Sequence, residues 1–136
     1  MPDKSFKLEI VTPERQVLAQ DVTSLVAPGV EGYLGVLADH APLMCELATG
    51  EIRLMDTEGH ETHIAISGGF MEVKENTVRI LADTAERAEE IDLARAQEAV
   101  KRAEERLHER TTGIDLTRAE VALKRAINRL RVAQGG

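Results

Sequence analysis

The chain has no tryptophan, one tyrosine and two phenylalanines among its 136 residues. Any core it builds is therefore aliphatic, and base stacking, on which single-stranded nucleic-acid binding depends, has almost no side chains to use. A single cysteine, Cys45, cannot form an internal disulfide and fits a reducing compartment. No run of eighteen apolar residues occurs, so no transmembrane helix is expected. The opening residues lack the basic-then-apolar layout of a secretory signal. Also missing are a Walker phosphate loop, a nucleophile elbow and a pair of carboxylates framed by glycines. A catalytic β-sandwich enzyme would have no nucleophile, acid–base pair or metal set to work with. These absences predict a soluble, cytoplasmic, non-enzymatic protein that acts by binding and moving.

What is present divides in two. Residues 1–83 carry 14 acidic and 6 basic side chains, residues 84–136 carry 10 and 11, and the segment from Asp115 onward carries 2 and 5. An acidic body with a basic tail points to an acidic partner for the tail, and away from nucleic acid.

The first part reads as strands. Phe6, Leu8 and Ile10 alternate with Lys7, Glu9 and Val11 up to Pro13. RQVLAQ and DVTSLVAP give two more β-rich runs, with Val22, Leu25 and Val26 as core candidates and Pro28-Gly29 as a stop. Glycines 29, 32 and 35 invite a phosphate-loop reading, but no Gly-Lys-Ser/Thr follows. Turns and close backbone approach explain them better. Further turns are expected near Thr49-Gly50, at Glu58-Gly59 as a hairpin, at Gly68-Gly69 and at Glu75-Asn76. Ile64, Ile66, Phe70, Val73, Val78 and Ile80 are the expected inward residues. Eight to ten short strands at this spacing predict a β-sandwich or flattened barrel.

From Asp92 the apolar period changes from two to about 3.6. Ala96, Ala99, Val100, Ala103 and Leu107 form one helical stripe; Leu116, Ala119, Leu123, Ile127 and Leu130 form a second. ERTTGID interrupts them, with Gly113 as the expected stop. Thr117–Glu120 forms a candidate capping box for a second helix that starts there or at Asp115. Stripes this rich in alanine predict a closely packed but weakly held antiparallel hairpin, able to detach at modest cost.

Arginines carry the most specific chemistry. Arg102 has Glu98 and Glu105 within helical reach. Arg125 and Arg129 have no carboxylate three or four positions away and face each other instead. An anion from outside the helix, a phosphate or an acidic protein surface, suits their planar forks. Asp92 and Arg95, three apart, share one face at the start of a helix. His60 and His63, if on one strand, point to opposite faces and offer no metal site. His40 reads as a loop residue and Cys45 as a small apolar group.

Across nearly its whole length the sequence resembles the epsilon subunit of bacterial F-type ATP synthase. The landmarks follow in order: VTPERQV, GYLGVLADHAPL, AISGGFMEV, VRILADTAERAEEID and a helical hairpin ending KRAINRL. Ala38-Asp39 departs from the Pro-Gly that the family usually places before the histidine, which alters a turn. The resemblance implies a ten-stranded β-sandwich, residues 1–84, followed by a two-helix hairpin, residues 85–136. It implies a peripheral place on the cytoplasmic face of the bacterial cell membrane, with the sandwich binding the gamma subunit and the c-ring. The helices are implied to brake ATP hydrolysis by extending to contact the alpha and beta subunits. Some members bind ATP as a regulatory ligand at the folded hairpin through Ile/Leu-Asp-x-x-Arg-Ala, which stands here as Ile91-Asp92-Leu93-Ala94-Arg95-Ala96. The other matching positions are Glu86, Arg102, Arg125 and Arg129. The arginines would neutralise the triphosphate, Asp92 would accept from adenine or ribose, and Ile91 and Ala96 would line the base; the alternative for Asp92 is a helix N-cap with Arg95 as its partner, and the two roles do not exclude each other. A reading from another class is a free-standing nucleotide-sensing module with the same architecture and no large assembly.

Overall fold

The computed structural model describes residues 4–109 and 113–135. Seven strands come first: β1 (Phe6–Val11), β2 (Gln16–Gly29), β3 (Gly32–Leu37), β4 (Leu43–Asp56), β5 (Glu61–Lys74), β6 (Thr77–Ala82) and β7 (Ala85–Arg87). Three of them, β2, β4 and β5, are 14 residues long, and each changes neighbours partway along. The first part of β4 pairs with the second part of β5, which pairs with β6, then β1, then the first part of β2. The second part of β2 lies between β3 and the second part of β4, which pairs with the first part of β5, and that pairs with β7. Seven continuous strands thus supply two five-stranded layers. The sandwich is as expected; the count of separate strands is seven among the described residues, because long strands serve both layers.

Three expected breaks are corners instead. Thr49-Gly50 lies within β4, Gly68-Gly69 within β5, and the join between RQVLAQ and DVTSLVAP within β2. Register shifts between Val22 and Ser24 and between Val26 and Gly29 bend β2 without ending it. In β5, Gly68 and Gly69 take φ of +85° and +140°, and this pair reverses the inward parity. Ile64 and Ile66 point into the core before it, Met71 and Val73 after it. Phe70, expected inward, is consequently 56% exposed. Val26 is a second correction: Leu25 and Ala27 take the inward positions and Val26 faces out. The remaining core expectations, from Phe6, Leu8 and Ile10 to Val78 and Ile80, are buried in one cluster.

The hairpins follow their turn chemistry. Glu75 and Asn76 both have positive φ, 51° and 57°, the pattern of a two-residue turn matched to strand twist. At the β4–β5 turn, Asp56 Oδ1 accepts the N–H groups of Glu58 and His60. Gly29 pairs with Gly32 at the β2–β3 turn, where a Cβ on Gly29 would lie 2.8 Å from the Gly32 oxygen. Asp39 has φ +61°, so an aspartate occupies the left-handed position that glycine suits best.

The chain divides after Arg87; Ala85–Arg87 belong with the strands because they pair with Ile64–Ile66. The second unit begins with a 3-10 turn, Ala88–Glu90, followed by α1 (Leu93–His108) and α2 (Gly113–Ala133). α2 packs along α1 and also touches the 3-10 turn ahead of it, so the pair is antiparallel. Gly113 is not a stop: α1 already closes at Glu109, whose N–H donates to the Arg106 oxygen, and Gly113 opens α2. Thr117 therefore sits a turn inside α2 and is not its cap. The seam is made of small residues, with Ala96, Ala103, Ala119 and Ala126 all buried. Ile127, expected on the stripe, is 40% exposed, since close helix approach favours the smaller Ala126 at the contact and leaves Ile127 at its flank. Residues 110–112 of the ERTTGID interruption lie outside the described residues.

Candidate functional site

The start of α1 is built by one carboxylate. Asp92 has extended backbone angles, and its Oδ1 accepts the N–H of Arg95 at 3.1 Å. The Asp92 carbonyl accepts the first helical bond, from Ala96 N–H at 2.9 Å. Asp92 is thus the N-cap that satisfies an otherwise orphaned donor. Its Oδ2 also stands 3.8 Å from Arg95 Nε, with both side chains largely in water, so this ion pair adds little. Just before it, Ile91 closes the 3-10 turn through its N–H to the Ala88 oxygen. Ile91 and Ala96 are buried and anchor the first turn from beneath.

The structure therefore brings Ile91, Asp92, Arg95 and Ala96 together at one helix end. Arg102 follows Arg95 by seven residues on the same face of α1, exposed. On α2, Arg125 is exposed, whereas Arg129, four residues on, is half-buried and already engaged. Only Arg125 of that pair thus keeps the open character expected of both. Glu86 stands on β7, its residue paired with Ala65, and belongs to the first unit. Cationic forks on two packed helices can hold a polyanion. The N–H groups of α1's first turn are partly spent on Asp92.

A polar cluster escaped the sequence reading. His63 Nδ1 lies 2.8 Å from Glu51 Oε1 and its Nε2 lies 3.0 Å from Glu61 Oε1; Arg53 Nε reaches the same Glu51 oxygen at 3.3 Å. Glu51, although charged, is buried. The signal was available in the turn. Folding a hairpin about Glu58-Gly59 places Arg53 opposite His63. His60 lies in the turn with Asp56 and Glu58, not on a strand. Among the described residues no three metal-ligating side chains come together, and no helix is long and apolar enough to cross a membrane. Cys45 is half-buried, and burial pushes its thiol up, as suits an inert side chain.

Comparison with known proteins matches both units. Residues 5–88 match the family described as ATP synthase, Delta/Epsilon chain, beta-sandwich domain, and residues 89–134 match its long alpha-helix domain. The chain is 57% identical over 107 residues to the ATP synthase epsilon chain of Pelotomaculum thermopropionicum, covering 79% of each. It is 53% identical over 105 residues to that of Moorella thermoacetica, covering 77% of this chain and 78% of the relative. Among solved structures, a chain of the Euglena gracilis mitochondrial ATP synthase, in a complex of OSCP, F1 and c-ring, superposes with TM-score 0.78. The two are 26% identical, with 88% of this chain and 76% of that one covered. A chain of the Tetrahymena thermophila central stalk and c-ring superposes with TM-score 0.63 at 14% identity, covering 98% and 99%, and shows the shared fold.

Proposed function

The chain belongs to the delta/epsilon chain family of ATP synthase, and from that we propose that it is a non-catalytic rotor subunit whose helical hairpin restrains ATP hydrolysis. The observation that carries this reading is the family match to both units in sequence, the sandwich first and the helices after it. The sandwich serves as the fixed attachment, to the gamma subunit and the c-ring, peripheral to the membrane on its cytoplasmic face. The helices serve as the moving part, reaching the alpha and beta subunits.

Physical chemistry supports the division of labour. The sandwich buries Leu, Ile, Val, Met and Phe side chains in one cluster. The helical seam is mostly alanine, and each buried methyl contributes only about 0.8 kcal/mol. A seam so lightly held separates at modest cost, and the excess of bases over acids from Asp115 onward suits an acidic surface on a catalytic subunit.

ATP is the regulatory ligand of this reading. Arg95 and Arg102 on α1, with Arg125 and Arg129 on α2, receive the triphosphate. Asp92 accepts from the base or ribose while remaining the N-cap. Glu86, being acidic, takes no part in holding the phosphates, and Ile91 and Ala96 line the base. ATP favours the folded hairpin only by as much as it binds that state better than the extended one.

The test is reconstitution of ATP synthase depleted of this subunit with the full chain. Stoichiometric binding and slower ATP hydrolysis are expected. A chain that binds without slowing hydrolysis removes the brake, and one that does not bind at all overturns the stalk reading in favour of a free-standing module.

A further inference from the structure

Each layer of the sandwich ends in a strand whose ladder partner lies on one side only. In one layer that strand is the first part of β2, which pairs with β1. In the other it is β7, which pairs with β5 over Ala85–Arg87. An open edge leaves backbone oxygens that the sheet itself does not satisfy. Two arginines answer one oxygen on each edge. Arg87, on β7, donates from Nη2 to the Val17 oxygen of β2 at 3.0 Å. Arg15, in the turn between β1 and β2, donates from Nη2 to the Ala85 oxygen of β7 at 3.5 Å. Each edge thus gives a guanidinium to the backbone of the other, and together they form a clasp.

Local structure prepares both halves of it. Ile10 stands opposite Leu18 and Val11 opposite Gln16, so Val17 is the extra residue of a bulge with no partner in β1. Its oxygen is taken by Arg87 instead. The turn that carries Arg15 is held by Thr12, whose N–H donates to the Arg15 oxygen at 2.9 Å. Thr12 Oγ1 also accepts the N–H groups of Glu14 and Arg15, both at 3.3 Å. β7, by contrast, has little else to keep it in place. It makes three ladder pairs, and of its side chains only Ala85 is buried. A strand so short and at an edge opens easily, and the helical unit begins at the next residue, Ala88.

We infer that Arg15 and Arg87 are positioning residues that hold β7 on the sandwich and so fix the point from which the helical unit moves. The clasp stands on the geometry alone; its consequence for hydrolysis rests on the rotor reading above. Release of β7 adds three residues to the tether, about 10 Å at the rise of an extended chain. A longer and freer tether lowers the effective concentration of the helices at the surface they must reach. With β7 clasped, movement starts at Ala88 and the helices are delivered from one place.

The test measures amide exchange in the full chain and in its Arg87→Met variant, then adds each to ATP synthase depleted of this subunit. Methionine keeps an apolar stem but no donor, so the difference belongs to the hydrogen bond. Exchange across Ala85–Arg87 is expected to quicken at least tenfold, with β4 and β6 unchanged, and Arg87→Lys to recover part of the protection. The variant should bind the complex as the wild type does while slowing ATP hydrolysis less. Arg15→Met, at an exposed position, should act in the same direction and stands in if Arg87→Met does not fold. Exchange in β7 that is unchanged in both variants overturns the clasp. Faster exchange with hydrolysis slowed as fully as by the wild type overturns its positioning role. A wild-type chain that binds without slowing hydrolysis removes the brake, and the role in it, while the exchange result still decides the clasp.

Discussion

Asp92 Oδ1 accepts the backbone N–H of Arg95 at 3.1 Å, so the carboxylate that the ATP reading needs is already holding the start of α1. Removing it disturbs two things at once, and the substitution decides which is seen. Asp92→Ala is expected to destabilise the helical unit by about 1 kcal/mol through the lost cap, read as faster amide exchange in the first turn of α1. Asp92→Asn keeps an acceptor oxygen at the same place and should leave that exchange nearly unchanged. A loss of ATP affinity shared by both variants belongs to ligand binding; a loss confined to Asp92→Ala belongs to the cap.

Arg125 separates phosphate binding from folding. It is exposed on α2, so Arg125→Ala should leave helix content unchanged while reducing ATP affinity at least tenfold, or about 1.4 kcal/mol, by calorimetric titration of the full chain. Wild-type protein that takes up no ATP at millimolar concentration would return the arginine to contact with another subunit.

Gly69 tests the corner of the sandwich. A Cβ there meets the Leu81 oxygen at 2.2 Å and the backbone has φ +140°. Gly69→Ala is expected to cost about 2–4 kcal/mol, as a left-handed or strained backbone and a steric clash combine. Gly59, at φ +85° with nothing within 4 Å of its added Cβ, provides the comparison. Gly59→Ala carries the backbone penalty alone, about 1 kcal/mol. Denaturant midpoints of the two variants should differ accordingly.

Acid should loosen the β4–β5 turn first. The Asp56 carboxylate is held below its ordinary value of 3.8 chiefly by the backbone N–H of His60; burial is the next largest effect and opposes it, and the backbone N–H of Glu58 and the His60 ring add to the lowering. Because the folded-state value is depressed, the stabilisation is present in full above the unfolded value and is lost as pH falls through the folded one. Amide exchange at Glu58 and His60 should therefore stay slow down to about pH 4 and quicken below it. Asp56→Asn, which keeps the acceptor oxygen, should flatten that acid limb.

Local chemistry was legible wherever neighbours in sequence are also the partners. The alternation of Phe6, Leu8 and Ile10, the Glu58-Gly59 and Glu75-Asn76 turns, and Asp92 ahead of an apolar helical period could all be read directly. Gly68-Gly69 could not: two glycines look the same whether they end a strand or bend one. Only the pairing of Ser67 and Gly69 with β4 shows that the ladder continues through them. The start of α2 is hidden for a related reason, since Thr117–Glu120 has the residues of a cap while Gly113 opens the helix.

By itself the sequence determined a strand-rich acidic part, an alanine-rich helical part, the N-cap between them and the family to which both belong. Those follow from periodicity, turn residues and a few short motifs, all local along the chain. Tertiary structure alone decided that three long strands serve two layers, that Phe70 faces water and that Glu51 is buried. Each depends on which residues stand opposite one another across strands, and register is set by the packing of the whole sheet, not by any one segment.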